Sequence, residues 1–240
     1  MTLLQLDGLT RHFGGLRAVE DVSLDIDDGD FLGIIGPNGA GKTTLFSLVS
    51  GQLPPTSGRV VFDGQDITGW PAHRVAQTGL VRTFQLMRPF ASMSVVDNVA
   101  IASHTRDRSR TVARGRALEV LQRVRLDDDA RRDTGSLTTA GLKRLELARA
   151  LAMEPRVLLL DEVLAGLVPA ERQPMIETLR ELHGDGLTVL YVEHIMAAVM
   201  ALSQRLLVMH EGRSLALGDP QEVVQDPRVV EAYLGEERSA

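Results

Sequence analysis

One octapeptide stands out chemically: Gly36-Pro37-Asn38-Gly39-Ala40-Gly41-Lys42-Thr43, followed by Thr44. It fits G-x-x-x-x-G-K-[ST], a spacing that binds phosphate when an apolar strand precedes it and a helix follows. Both neighbours are in place, FLGII before and TTLFSLVS after. Glycines let consecutive backbone NH groups turn inward around an anion, while the following helix aims its positive end at the same charge. In that arrangement Lys42 supplies charge at the β- and γ-phosphates of a nucleotide, and Thr43 offers its hydroxyl to Mg²⁺. A glycine-rich turn with a solvated lysine, the plainer reading, needs none of this flanking order.

Such a cradle wants a carboxylate for the metal at the end of a neighbouring core strand. Val157-Leu158-Leu159-Leu160-Asp161-Glu162 offers one. Asp161 would hold Mg²⁺ through water, and Glu162 would polarise the water that attacks the γ-phosphate. An Asp-Glu pair at a strand end is ordinarily just solvated. Here it follows four aliphatic residues in a chain that already carries a phosphate loop, which favours the chemical role.

The elements that must hold these residues recur along the chain. Strand-like runs lie at Leu3 to Leu6, Val22 to Ile26, Phe31 to Ile35, Arg59 to Phe62, Val157 to Leu160, Thr188 to Val192 and Arg205 to Met209. Helix-like stretches separate them, the rhythm of an α/β fold. VLLL at 157–160 and VLYV at 189–192 lack polar alternation, as strands of a parallel sheet covered on both faces do. Between them Met175, Ile176, Leu179 and Leu182 mark one face of a helix from about Ala170 to His183, giving a right-handed crossover. The first 65 residues carry turn chemistry at Asp27-Asp28-Gly29-Asp30 and Asp63-Gly64, so an antiparallel β subdomain is expected beside the core. From Gln85 to Glu154 strand signals fade. Helices are expected over Val95 to Ser103, Val112 to Val124 and Leu142 to Met153, closed by Pro155. The expectation is one domain over 1–240, with a nucleotide-binding core at 1–84 and 155–240 and a helical subdomain inserted at 85–154.

Composition bounds the rest. The chain has 240 residues, 26 Lys plus Arg against 32 Asp plus Glu, a net charge of −6, 44% hydrophobic residues and no cysteine. Disulfides, thiolate metal sites and cysteine nucleophiles are therefore excluded. The acidic balance argues against a general nucleic-acid binder. No basic-then-apolar leader opens the chain, and no apolar run approaches the ~18 residues that span a bilayer, so neither export nor membrane insertion is expected.

Phosphate loop and Asp-Glu together still fit many ATPases. Weaker motifs in a fixed order narrow the class: RHFGGLRAV, RTFQLMRPF, LTTAGLKRLELARAL and TVLYVEHIMAAVM. Over essentially its whole length the chain resembles the ATP-binding-cassette ATPases. The resemblance implies roles for further residues. Phe13 would stack on adenine, with Ala18 beside it. Gln85 would sense the γ-phosphate and Mg²⁺ and hinge the helical subdomain, and His194 would contact the γ-phosphate. The family signature L-S-G-G-Q corresponds to Leu137-Thr138-Thr139-Ala140-Gly141, which would complete the site of a second subunit. Thr138 keeps the hydroxyl, whereas Thr139 and Ala140 replace both glycines and Gly141 replaces glutamine. Added Cβ atoms there would hinder close approach to phosphate. Val168 also stands where the family has Asp or Asn at the dimer seam.

The finer resemblance is to the ATP-binding subunit of branched-chain amino-acid importers. It rests on FGGLRAVEDVSL, FQLMRPFASMSVVDNV, the AGL-x-P turn and above all the terminal DPRVVEAYLGE, which lies outside any nucleotide chemistry. This resemblance implies ATP and Mg²⁺, a second ATPase subunit forming a dimer, two permease subunits and an extracytoplasmic solute-binding protein. It implies a peripheral position on the cytoplasmic face of the membrane and a permease-docking groove near Gln85 to Asp97. Lipid or lipopolysaccharide exporters, soluble cassette ATPases and a non-hydrolysing regulator are the competing readings. Only about twenty residues separate His104 from Leu126, where the subfamily often carries an insertion. Arg106, Arg108, Arg110, Arg114, Arg116, Arg123 and Arg125 make this stretch basic. A solvated helix face is expected, with anionic lipid or permease contact as the lesser alternative.

Overall fold

The computed structural model describes residues 1–83, 89–106 and 109–237, with side chains as far as residue 232. Gln85, Arg108 and the tail beyond residue 237 lie outside the described residues. The chain opens with β1 (Thr2–Phe13) and β2 (Leu16–Asp27), then β3 (Phe31–Ile35), α1 (Lys42–Val49), β4 (Ser57–Phe62) and β5 (Gln65–Asp66). β2, β1, β4 and β5 form an antiparallel sheet in that order. Its first two strands run well past their apolar cores because irregularities between Leu6 and Leu9 and on to His12 restore pairing where the alternation slips.

The middle of the chain supplies α2 (Ala72–Thr78), β6 (Leu80–Arg82), α3 (Val95–Ser103), α4 (Arg110–Arg123) and α5 (Thr139–Leu151). Side-chain caps start three of these helices. Ser94 accepts from Asp97 N, Ser109 from Val112 N and Thr138 from Gly141 N. The caps explain why α4 and α5 begin two and three residues before their first periodic apolar positions. Then follow β7 (Val157–Asp161), α6 (Pro169–Gly184), β8 (Thr188–Val192), α7 (Met196–Leu202), β9 (Arg205–His210), β10 (Arg213–Gly218), α8 (Pro220–Val223) and α9 (Pro227–Glu237).

The second sheet has the order β10-β9-β3-β8-β7-β6, parallel throughout except for the β9–β10 hairpin. Every residue of β3, β7 and β8 is buried. Alternate residues feed two cores. Val157, Leu159, Leu190 and Val192 pack with Leu45 and Phe46 of α1 and with Leu4, Leu6, Leu24 and Ile26 of the antiparallel sheet. Leu158, Leu160, Val189 and Tyr191 pack on the other side with α3 to α6, through residues such as Val99, Leu121, Leu145 and Leu179. Burying each such side chain stabilises by roughly 1.5–3 kcal/mol, so the sheet that carries the site is clamped from both faces.

The sheet order corrects one expectation. β7 does not neighbour β3; β8 lies between them, because the chain returns through α6 to the position between the two strands. The described arginines of the basic stretch are mostly exposed, as expected of a solvated face, and several are paired there. Arg114 pairs with Asp97, Arg116 with Glu154, Arg123 with Asp185, and Arg125 with both Glu177 and Glu181. Arg106 donates to the carbonyls of Met153 and Gln77.

Candidate nucleotide site

Three strands of the parallel sheet, β3, β8 and β7, end on the same edge, and each releases one group of the site there. After β3 the loop 36–41 turns through glycines that the surroundings demand. Gly36 has φ 150°, and a Cβ on it would stand 2.1 Å from Met209 O; Gly41 has φ 100°, and a Cβ would stand 2.3 Å from Ala18 O. The loop is braced from behind, since Gly212 N donates to Ala40 O at 3.1 Å and Glu20 N donates to Gly212 O at 2.8 Å. β2 and the β9–β10 turn thus press the cradle into shape, and Ala18 belongs to that backing. Gly41 caps α1 without any side-chain hydrogen bond, and no acidic residue lies in the first turn. A helix start so arranged keeps its NH groups and positive potential for an anion. Lys42 folds back over the loop, its Nζ donating to Gly36 O at 2.6 Å and Pro37 O at 2.8 Å. Thr43 is exposed and Thr44 half-buried.

At the end of β7, Asp161 is wholly buried and paired with Arg82, Oδ2 to Nη2 at 2.7 Å. Its other oxygen, Oδ1, is buried and has no hydrogen-bond partner among the described residues. A buried carboxylate oxygen left unmatched is costly, and a hydrated cation beside the cradle would satisfy it. Among the described residues no three His, Cys, Asp or Glu side chains gather to hold a metal. The donors present, one hydroxyl, one carboxylate and the phosphates of a bound nucleotide, suit Mg²⁺, which keeps several of its waters.

Glu162 follows with φ 52°. Its Oε1 stands 3.7 Å from His194 Nε2, which the chain reaches just beyond β8. Arg82 and Glu193 escaped the sequence reading. Arg82 also donates to Ser47 Oγ at 2.9 Å and Gln52 Oε1 at 3.1 Å, tying α1 to Asp161. Glu193, 1% exposed, accepts from Leu164 N at 2.9 Å, His194 N at 3.1 Å and Ile195 N at 3.4 Å. It therefore joins the loop after Glu162 to the loop that bears His194. Burial, with Glu193 adding to it, pushes the Tyr191 hydroxyl far above its ordinary value, so this phenol stays protonated.

Phe13 ends β1 as a 43% exposed ring with the Arg11 guanidinium 4.7 Å from its centre. Leu137 to Gly141 form the start of α5. Thr138 Oγ1 accepts from Gly141 N at 3.1 Å, Thr139 is exposed, and a Cβ on Gly141 would press Leu137 at 3.3 Å. The contacts of this segment run toward the Glu162 loop, with Thr139 beside Gly166 and Lys143 Nζ donating to Glu162 O at 2.9 Å. The cradle glycines, Lys42, Asp161, Glu162 and His194 thus share one edge of the parallel sheet, the arrangement of a nucleotide site. The ABC transporter family model matches residues 19–165. The chain belongs to the ABC transporter family. It is an ATP-binding cassette, and as such an ATPase.

A second family model, that of the branched-chain amino acid ATP-binding cassette transporter, matches residues 213–239 of this cassette. The cassette is 39% identical to the high-affinity branched-chain amino acid transport ATP-binding protein BraF of Pseudomonas aeruginosa, over 98% of each chain. It is 38% identical to the corresponding LivG protein of Escherichia coli K12, again over 98% of each. Among solved structures, it superposes with a TM-score of 0.89 on an ATP-binding cassette of an ABC transporter in its ADP conformation, 31% identical, covering 98% of this chain and 99% of that one.

Proposed function

We propose that this cassette is the ATP-hydrolysing subunit of an importer for branched-chain amino acids or related small amino acids and amides. The observation that carries the reading is the match of residues 213–239 to the branched-chain family model, because that segment lies beyond the nucleotide machinery. Near-full-length likeness to BraF and LivG supports it. In this reading Phe13 stacks on adenine and residues 36–44 wrap the phosphates. Lys42 leaves the loop carbonyls for the β- and γ-phosphates. Mg²⁺, held by Thr43, Gln85 and Asp161 through water, would neutralise phosphate charge. Glu162 takes the proton of the attacking water, and His194 holds the γ-phosphate from the neighbouring strand end.

Two such subunits sandwich two ATP molecules, each completing the other's site with the segment Leu137–Gly141. Residues 85–154 act as the helical unit that turns against the core. The assembly includes two permease subunits and an extracytoplasmic solute-binding protein, with the cassette on the cytoplasmic side of the membrane. Among the described residues no helix is long and apolar enough to cross a membrane, and in this reading the permease subunits supply the pore. The test is reconstitution in vesicles with the permease and binding protein that copurify with this chain. ATP-dependent uptake of leucine, isoleucine or valine is expected; uptake of sugars or metal ions alone would overturn the assignment.

A further inference from the structure

Glu162 holds a backbone conformation, φ 52°, that residues with side chains seldom adopt. Such a residue persists where its surroundings hold it in place. Here it is held on both sides. Its NH donates to Val192 O at 3.0 Å, and its carbonyl accepts from Ala165 N at 3.1 Å and from Lys143 Nζ at 2.9 Å. Lys143 is itself only 5% exposed. A long lysine stem ordinarily carries its charge out to water, and an ammonium kept inside is costly unless its protons find acceptors. On α5 this lysine points inward, two residues after Gly141, and meets the carbonyl of the residue assigned as general base. A single helix thus carries the segment that serves a partner's nucleotide and the donor that fixes this chain's own Glu162.

We infer that Lys143 is a positioning residue for Glu162. It sets the backbone from which the carboxylate reaches the attacking water. It also ties that carboxylate rigidly to the signature segment, so that docking of the segment on the partner's nucleotide bears directly on hydrolysis in this chain's own site. This second part rests on the two-subunit reading above. Lys143 acts through its hydrogen bond to the Glu162 carbonyl, as a positioning residue and not a catalytic one.

The experiment compares the full chain carrying Lys143→Met or Lys143→Arg with its parent, in kcat and KM for ATP, in MgADP affinity by calorimetry, and in ATP-driven dimerisation within a Glu162→Gln background. Lys143→Met is expected to lower kcat roughly 10- to 100-fold, the effect of a displaced catalytic group. MgADP affinity should stay within about twofold and the ATP-bound dimer should persist, since the cradle and the signature are untouched. Lys143→Arg keeps a donor and should restore most of kcat. If the methionine variant does not fold, Lys143→Gln replaces it and should stay within about fivefold of the parent, because its amide still donates. A methionine variant with kcat within about twofold of the parent overturns the inference. So does a fall in MgADP affinity that matches the fall in kcat, or a loss that neither Arg nor Gln repairs. Failure of Glu162→Gln alone to dimerise with ATP strikes the two-subunit reading instead, and leaves the link to Glu162 to be judged on kcat and its rescue.

Discussion

Glu162 and His194 approach within 3.7 Å from two different strand ends, so groups from β7 and β8 meet at one point of the site. Glu162→Gln keeps the side chain's size and every main-chain bond of the residue while removing the proposed base. ATP binding should therefore survive while turnover falls by about 10²- to 10⁴-fold, to be read from single-turnover kinetics beside nucleotide titration. An unchanged turnover would assign the proton to another group. Asp161 and Arg82 present a different case, because both are buried, with side-chain exposures of 0% and 7%. Arg82→Ala strands a carboxylate in the interior and is expected to lower stability by about 3–5 kcal/mol in urea denaturation. Neither Arg82 nor Glu193 was legible in the sequence, for one physical reason. A charged residue flanked by ordinary neighbours reads as surface until the sheet order sets β6 beside β7 and β7 beside β8. Lys42, Asp161 and Glu162 were legible because their context, apolar strand then polar terminus, is contiguous in the chain.

The cradle loop is shaped by elements far away in sequence, and the glycines record where they press. Gly41 combines φ 100° with the Ala18 carbonyl 2.3 Å from any added Cβ. Gly41→Ala must therefore push β2 away or distort the first turn of α1, and weakened MgATP binding with little change in the rest of the fold is the expected outcome. Calorimetry together with far-UV circular dichroism tests this; wild-type affinity would show that the loop yields more easily than its packing implies. The parallel strands and their crossover helix could be read ahead because uninterrupted apolar runs have few other destinations. β6, β10 and the outer ends of β1 and β2 could not, being short, half-exposed or irregular, with pairing fixed by the neighbour and not by their own pattern. The starts of α4 and α5 were misjudged for a related reason: Ser109 and Thr138 begin these helices through hydroxyl caps, ahead of the first apolar position.

Across the whole assembly, the altered signature predicts unequal work by the two sites. In the two-subunit reading this chain's cradle is complete, while its own Thr139 and Ala140 would meet the partner's nucleotide with side chains where the family signature has glycine. If the partner carries the consensus segment, the site built on this chain's Lys42 and Glu162 should be the faster one. Disabling Glu162 should then cost far more steady-state ATPase activity than disabling the partner's equivalent glutamate; equal losses would show that the signature is not limiting. The arginine pairs of α4 and of Arg125 just beyond it point elsewhere, to history. They fasten this helix to α3, to α6 and to the turns before β7 and β8. All lie at the surface, where such pairs are individually weak and exchangeable. Cradle glycines wedged against backbone tolerate no drift, but a segment fastened by interchangeable charges does. Descendants of one ancestral cassette should therefore differ in length between α3 and α4 while the charges at the two ends of each pair swap sign together, a covariation that aligned sequences would reveal.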